Sequence, residues 1–163
     1  MDYRMVRAGI AVVACATLLA GCGAASQGAD EFMDWDDANA EYQATVADFP
    51  FPLMGGDEFP ADMGEGGSDL YQHGWGEGQA YFYWMCSVER HVLETMPTDP
   101  DAAYESVEAL RQVVDTTWFA TYFEDPEHGF EREVIDKSAL GDTSVMREQY
   151  DTDCRWYRQV NGL

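Results

Sequence analysis

Gln79-Ala80-Tyr81-Phe82-Tyr83-Trp84-Met85-Cys86-Ser87-Val88-Glu89-Arg90-His91-Val92-Leu93-Glu94-Thr95-Met96 is the stretch that decides the fold. Phe82, Cys86, Glu89 and Leu93 fall on one strip at helical spacing. Tyr81, Met85, Val88 and Val92 fall on the neighbouring strip, and together the two predict a helix with a broad apolar face. Aromatic side chains at 81 to 84 run nearly round the axis, so the start of this helix is expected to be covered on several sides. Pro97 stops it.

Working outward, the same period recurs on both sides. Upstream, Asp34 suits an N-cap with Asp36 and Asp37 in the first turn, where acids match the helix dipole. Ala38, Tyr42, Val46 and Phe49 give that helix its inner face, and Phe49-Pro50-Phe51-Pro52 ends it. Downstream, Thr98 or Asp99 caps a third helix with Pro100 in its first turn. Ala103, Val107, Leu110, Val114 and Trp118 form its face, and the aromatic run to Phe123 continues it or breaks into an extended piece. Asp125-Pro126 starts another turn. Glu131 to Leu140 carries a short helix with Val134, Ile135 and Leu140 inward, and Gly141 fits the position just past its end. A last helix, capped by Asp142 or Thr143, lines up Met146, Tyr150, Cys154 and Tyr157. Glu133 with Lys137 and Asp151 with Arg155 are spaced as i,i+4 pairs, each worth only about 0.2–0.5 kcal/mol. The expectation is an all-α protein, a small bundle of four to five helices in one domain over residues 34–163.

Between the first two helices lies residues 53–78, LMGGDEFPADMGEGGSDLYQHGWGEG, with eight glycines and several acids. A loop of this length without its own structure is uncommon in a compact domain. Leu53, Phe59, Leu70, Tyr71 and Trp75 can pin it to a core, so it is read as an ordered wrap with a mobile middle near Gly64–Ser68. Gly74-Trp75-Gly76-Glu77-Gly78-Gln79-Ala80 invites a nucleotide-loop reading and fails it. The glycine spacing is wrong, no strand precedes it, the P-loop lysine is missing, and Glu77 repels phosphate.

At the N-terminus, Arg4 and Arg7 precede an apolar run from Ala8 to Ala20, followed by Gly21 and Cys22. This is the layout of a secretory signal, and it is short of the roughly 20 apolar residues that a span needs. Leu19-Ala20-Gly21-Cys22 resembles the lipobox of bacterial lipoproteins. The resemblance implies removal of residues 1–21 as a signal peptide and a palmitate-bearing lipid on the Cys22 thiol. It also implies a location on the outer face of the cell membrane. Residues 22–33 then serve as lipidated N-terminus and flexible linker, with Gly23–Asp30 spanning on the order of 15 Å. Together with the Phe-Pro entry at 49–52 and the stretch from Gly74 to Trp84, the chain is similar to small lipoproteins of high-GC Gram-positive bacteria, a likeness that implies no particular activity.

With residues 1–21 go Arg4, Arg7 and Asp2, so the remainder keeps 7 of the 9 basic and 30 of the 31 acidic residues, a net of −23. Nucleic acid and anionic lipid head groups both need basic patches and are not expected partners. Of the 4 cysteines, Cys15 leaves with the signal and Cys22 takes the lipid. Cys86 and Cys154 remain, an even pair in an oxidising compartment, and are expected to form a disulfide.

Motifs for chemistry are sparse. There is no HExxH, GxSxG or SxxK. His73, His91 and His128 are isolated in sequence, and no cofactor or metal is expected. Asp57, Glu58, Asp62, Glu65 and Asp69 lack the alternation of a calcium loop. A peptide or sugar groove lined by Tyr71, Trp75, Tyr81 and Trp84 is one use of amphipathic aromatics, and the core is the other. The preferred reading is a non-enzymatic binding or interaction module for an envelope protein or cell-wall ligand. Its contact surface is expected at Tyr71, His73, Trp75, Glu77 and Tyr81. Two alternatives stand beside it. One is a cell-envelope hydrolase with a desolvated acid and a second carboxyl about 5–10 Å away. The other is a metal-binding lipoprotein in which histidines converge with loop acids.

Overall fold

The structure, a computed structural model, describes residues 32–123 and 125–163. The lipobox, Cys22 and the linker up to Asp30 lie outside the described residues. The chain is mostly helical, as expected. α1 spans Trp35–Ala47, α2 Trp75–Thr95, α3 Pro100–Arg111 and α4 Thr117–Tyr122. A π-helical segment, Phe130–Asp136, runs into the short α5, Lys137–Ala139. α6, Ser144–Asp153, and α7, Arg155–Val160, complete the chain. Two residues expected in the linker, Phe32–Met33 (β1), pair antiparallel with Tyr71–Gln72 (β2). Among the described residues no helix is long and apolar enough to cross a membrane.

α2 lies at the centre and packs against α1, α3, α4, α6 and α7. Its aromatic start is buried as the sequence suggests: Tyr83 and Trp84 are covered, and Tyr81 stacks on Trp118 at 4.5 Å. The caps at Asp34 and Asp99 form, accepting from Asp37 N and Ala102 N.

Several local expectations are corrected. α2 begins at Trp75, ahead of Gln79, although Gly76 and Gly78 disfavour helix, because tertiary contacts override propensity there. α1 ends at Ala47, so Phe49 leaves the helix, yet its ring still meets Tyr81 at 4.9 Å. The 131–140 helix begins as a π-turn. Leu140 is 86 % exposed, because α5 ends at Ala139 and the chain turns away through Gly141 at φ 88°. The last helix breaks at Cys154, which moves Arg155 out of step with Asp151. Arg158 takes that partner instead, at 3.6 Å.

The loop after α1 is ordered by side chains that satisfy its backbone. Trp84 Nε1 donates to Pro52 O, Tyr83 Oη to Glu58 O and Tyr42 Oη to Pro60 O, at 2.9–3.0 Å. Met54 N donates to Ser87 Oγ and Met63 N to Asn39 Oδ1. Buried backbone polar groups must be paired, and here the paired partners are the polar tips of core aromatics. The middle expected to be mobile rests on Trp35, whose indole N–H donates to Gly64 O at 3.2 Å.

Candidate functional site

The glycine-rich start of α2 is built around a carboxylate from another helix. Gly74 supplies no capping side chain and adopts φ 88°. Glu41 of α1 takes its place: Oε1 accepts from Gly74 N at 2.9 Å, and Oε2 from Gly76 N at 2.8 Å and Glu77 N at 3.4 Å. A helix N-terminus holds unpaired amides and partial positive charge, so an anion belongs there. The protein provides its own, and this is why the glycine run is not a phosphate cradle. The neighbouring Glu77 carboxyl is pushed up by burial, with Glu41's charge adding to it. Replacing Glu41 by Ala leaves these amides without acceptors. The expected cost is about 1–3 kcal/mol, read as a lowered urea midpoint at unchanged slope.

Next to this cap the first turns of α2 form a cleft of about 260 Å3 with α4. Gln72 and His73 stand on one side, Trp75, Gln79 and Phe82 along α2, and Trp118 and Tyr122 on the other. The Trp118 indole N–H at its base is buried and has no hydrogen-bond partner. Gln79 and Phe82 also border a second, wider cleft of about 560 Å3 that runs towards Thr152, Asp153, Arg155 and Trp156. The two adjoin at Gln79 and Phe82 along the first half of α2.

Of the five expected contact residues, His73 and Trp75 line the narrower cleft, with His73 exposed and Trp75 half-buried. Tyr71 lies on the far side of Trp75, ring to ring at 4.5 Å, and Glu77 sits at the Glu41 cap. Tyr81 is 7 % exposed and belongs to the core. Trp84 is likewise interior. Trp118 and Tyr122 enter the site from α4, a juxtaposition with no local signal. His91 bonds Ser106 Oγ through Nδ1 at 2.9 Å, while His128 is exposed. Among the described residues no three His, Cys, Asp or Glu side chains are grouped to hold a metal ion.

Beneath the wide cleft, Cys86 and Cys154 are joined as a disulfide. Behind it lies Glu89, 1 % exposed. Its Oε1 accepts from Gln149 Nε2 at 3.0 Å, and its Oε2 lies 3.6 Å from Cys154 Sγ. Burial, with a smaller effect from Asp153, raises its carboxyl well above the usual carboxylate range. The sequence signal was present, in that Glu89 occupies the apolar strip one turn after Cys86.

No protein-family model, no curated protein and no solved structure matches this chain.

Proposed function

We propose that the chain is a lipid-anchored extracytoplasmic binding protein, held at the outer face of the membrane through Cys22 and taking its ligand or partner in the groove along α2. One observation carries the binding reading. His73, Trp75, Gln79, Phe82 and Tyr122 converge on a single concavity with their side chains partly or fully exposed, whereas Tyr81, Tyr83 and Trp84 of the same region are spent on the core. Aromatic faces with a few convergent amides and a ring nitrogen are the makeup of ligand sites. The lipobox supports the tether: two or more acyl chains, at about 0.8 kcal/mol per buried methylene, hold a domain that its net charge of −23 keeps off anionic lipid.

The hydrolase alternative needs two carboxyls facing one cleft. Asp153 borders the wider cleft, but the desolvated acid Glu89 lies behind the disulfide and away from the lining. This favours binding over carboxylate chemistry.

The test has two arms. Metabolic palmitate labelling is expected on the wild type and lost in Cys22→Ala; label that persists in the variant sinks the anchor. Purified wild type is expected to be retained by isolated cell envelope, with retention lowered at least about tenfold in the double variant His73→Ala/Tyr122→Ala. Equal retention of the two proteins removes the groove from the reading.

A further inference from the structure

The narrower cleft beside the start of α2 is set apart by side chains that the fold does not use. Trp35, Tyr42, Tyr83, Trp84 and Tyr157 each spend their polar tip on a hydrogen bond within the molecule. Gln72, His73, Gln79 and Tyr122, which line the cleft, spend none of theirs among the described residues. These groups are also open. Gln72 and His73 are exposed, Tyr122 is 48 % exposed, and Trp75, Gln79 and Phe82 are half-buried. Trp118 is 3 % exposed and only closes the floor, so no contact is assigned to it.

Charge sets the cleft apart as well. No Asp, Glu, Lys or Arg lines it, in a chain of which 25 % of residues are charged. An anionic ligand would find no cation there, and the amides of the helix start that could have served it are held by Glu41. A cation would find only aromatic faces. It would take water from two amides, an imidazole and a phenol and return no hydrogen bond to them. An extended peptide asks for a row of backbone partners along a sheet edge, whereas the free polar groups named here sit on side chains.

We infer that this cleft is a carbohydrate subsite that takes one neutral sugar ring of an envelope glycan. The inference rests on the binding reading above and gives it a chemical class. A sugar ring presents an apolar C–H face and, round its edge, hydroxyls that both donate and accept. Trp75, Phe82 and Tyr122 offer flat apolar faces for the first. For the second, the Gln72 and Gln79 amides each carry donors and an acceptor side by side, which matches two vicinal hydroxyls. His73 and the Tyr122 hydroxyl can each donate or accept. At about 260 Å3 the cleft falls just under the ~300 Å3 at which sites for drug-sized ligands begin, so it suits one ring and not a length of polymer.

The test uses the full chain in detergent, with isolated cell envelope as the probe. Untreated envelope decides the binding reading: if it does not retain the wild type, that reading falls and the sugar with it. The treatments then decide the sugar. Retention is expected to be unchanged after exhaustive protease digestion and after chloroform–methanol extraction of the envelope. It is expected to fall at least tenfold after deglycosylation with anhydrous trifluoromethanesulfonic acid, which cleaves glycosidic bonds and spares peptide bonds. Because the ligand is neutral, retention should stay constant between about 0.1 and 1 M NaCl, across which the Debye length falls from about 10 to 3 Å. The double variant Gln72→Ala/Gln79→Ala is expected to lose at least about tenfold in retention, the effect of two or more hydrogen bonds, at an unchanged urea midpoint. Loss of retention on protease digestion names a protein partner, and loss on extraction a lipid. Either one overturns the sugar while leaving the binding reading in place. So does retention that survives deglycosylation, retention that salt weakens, or a glutamine double variant retained like the wild type.

Discussion

Gly76→Ala is expected to destabilise the protein by about 3 kcal/mol or more, although it adds one methyl to a helix. A Cβ at Gly76 would lie 2.1 Å from the carbonyl oxygen of Ala38 and 2.7 Å from Tyr42 N. Both are backbone atoms of α1, and neither belongs to a side chain that can swing aside. The only relief is to move α1 away from α2. That movement breaks the Glu41 cap, because Gly76 N and Gly74 N are held by that one carboxylate. Overpacking and unpaired amides therefore add. Gly78→Ala, two residues on, is the control. Its Cβ would meet Trp118 Nε1 at 3.5 Å, an ordinary contact, and replacing a helical glycine by alanine is favourable by about 0.5–1 kcal/mol. Urea unfolding should give a lower midpoint for Gly76→Ala and an unchanged or higher one for Gly78→Ala. A Gly76→Ala variant within about 1 kcal/mol of wild type contradicts the close approach of the two helices.

Loss of the disulfide is the second large effect. Cys86 and Cys154 are 68 residues apart, and constraining an unfolded chain over a ring of that size is worth about 4 kcal/mol in the chain-entropy model. A domain's whole stability is about 5–15 kcal/mol, so most of a modest reserve goes with the bond. The bond also joins the middle of α2 to the break between α6 and α7, where Tyr83 and Tyr157 pack edge to face at 5.0 Å. Scanning calorimetry of the double variant Cys86→Ala/Cys154→Ala is expected to show a Tm lower by more than about 10 °C. The same shift should appear when reductant is added to the wild type and not when it is added to the variant. A shift below about 3 °C would mean that the helices hold their places without the bond.

Much of the architecture was legible in the sequence. Apart from Phe82, which lines the clefts, the two strips of α2 face the core, as do the inner face of α3 and the strip from Met146 to Tyr157, and the cysteines on them meet. The Asp34 and Asp99 caps were legible as well, because a cap is a contact over three residues. The site was only half legible. His73 and Trp75 could be picked out as aromatic and polar residues in a loop, but Trp118 and Tyr122 reach them from α4. Glu41 looked like one more acid on α1, and nothing near it in the chain announces that it caps a helix 33 residues away. Tyr81 was placed on the contact surface because an aromatic ring serves core and surface alike. Only its stack on Trp118 tells which.

The sequence by itself determined the order of the main helices, most of the residues that turn inward and which cysteines can pair. These follow from the 3.6-residue period and from turn chemistry, both local properties. Only the tertiary structure decided that Gly76 lies against the α1 backbone, that the tips of Tyr42, Tyr83 and Trp84 satisfy the loop, and that Glu89 points at Cys154 Sγ. Each of these is a contact between atoms far apart in the chain. Its distance is set by how whole helices pack, and neither residue type nor spacing encodes that distance.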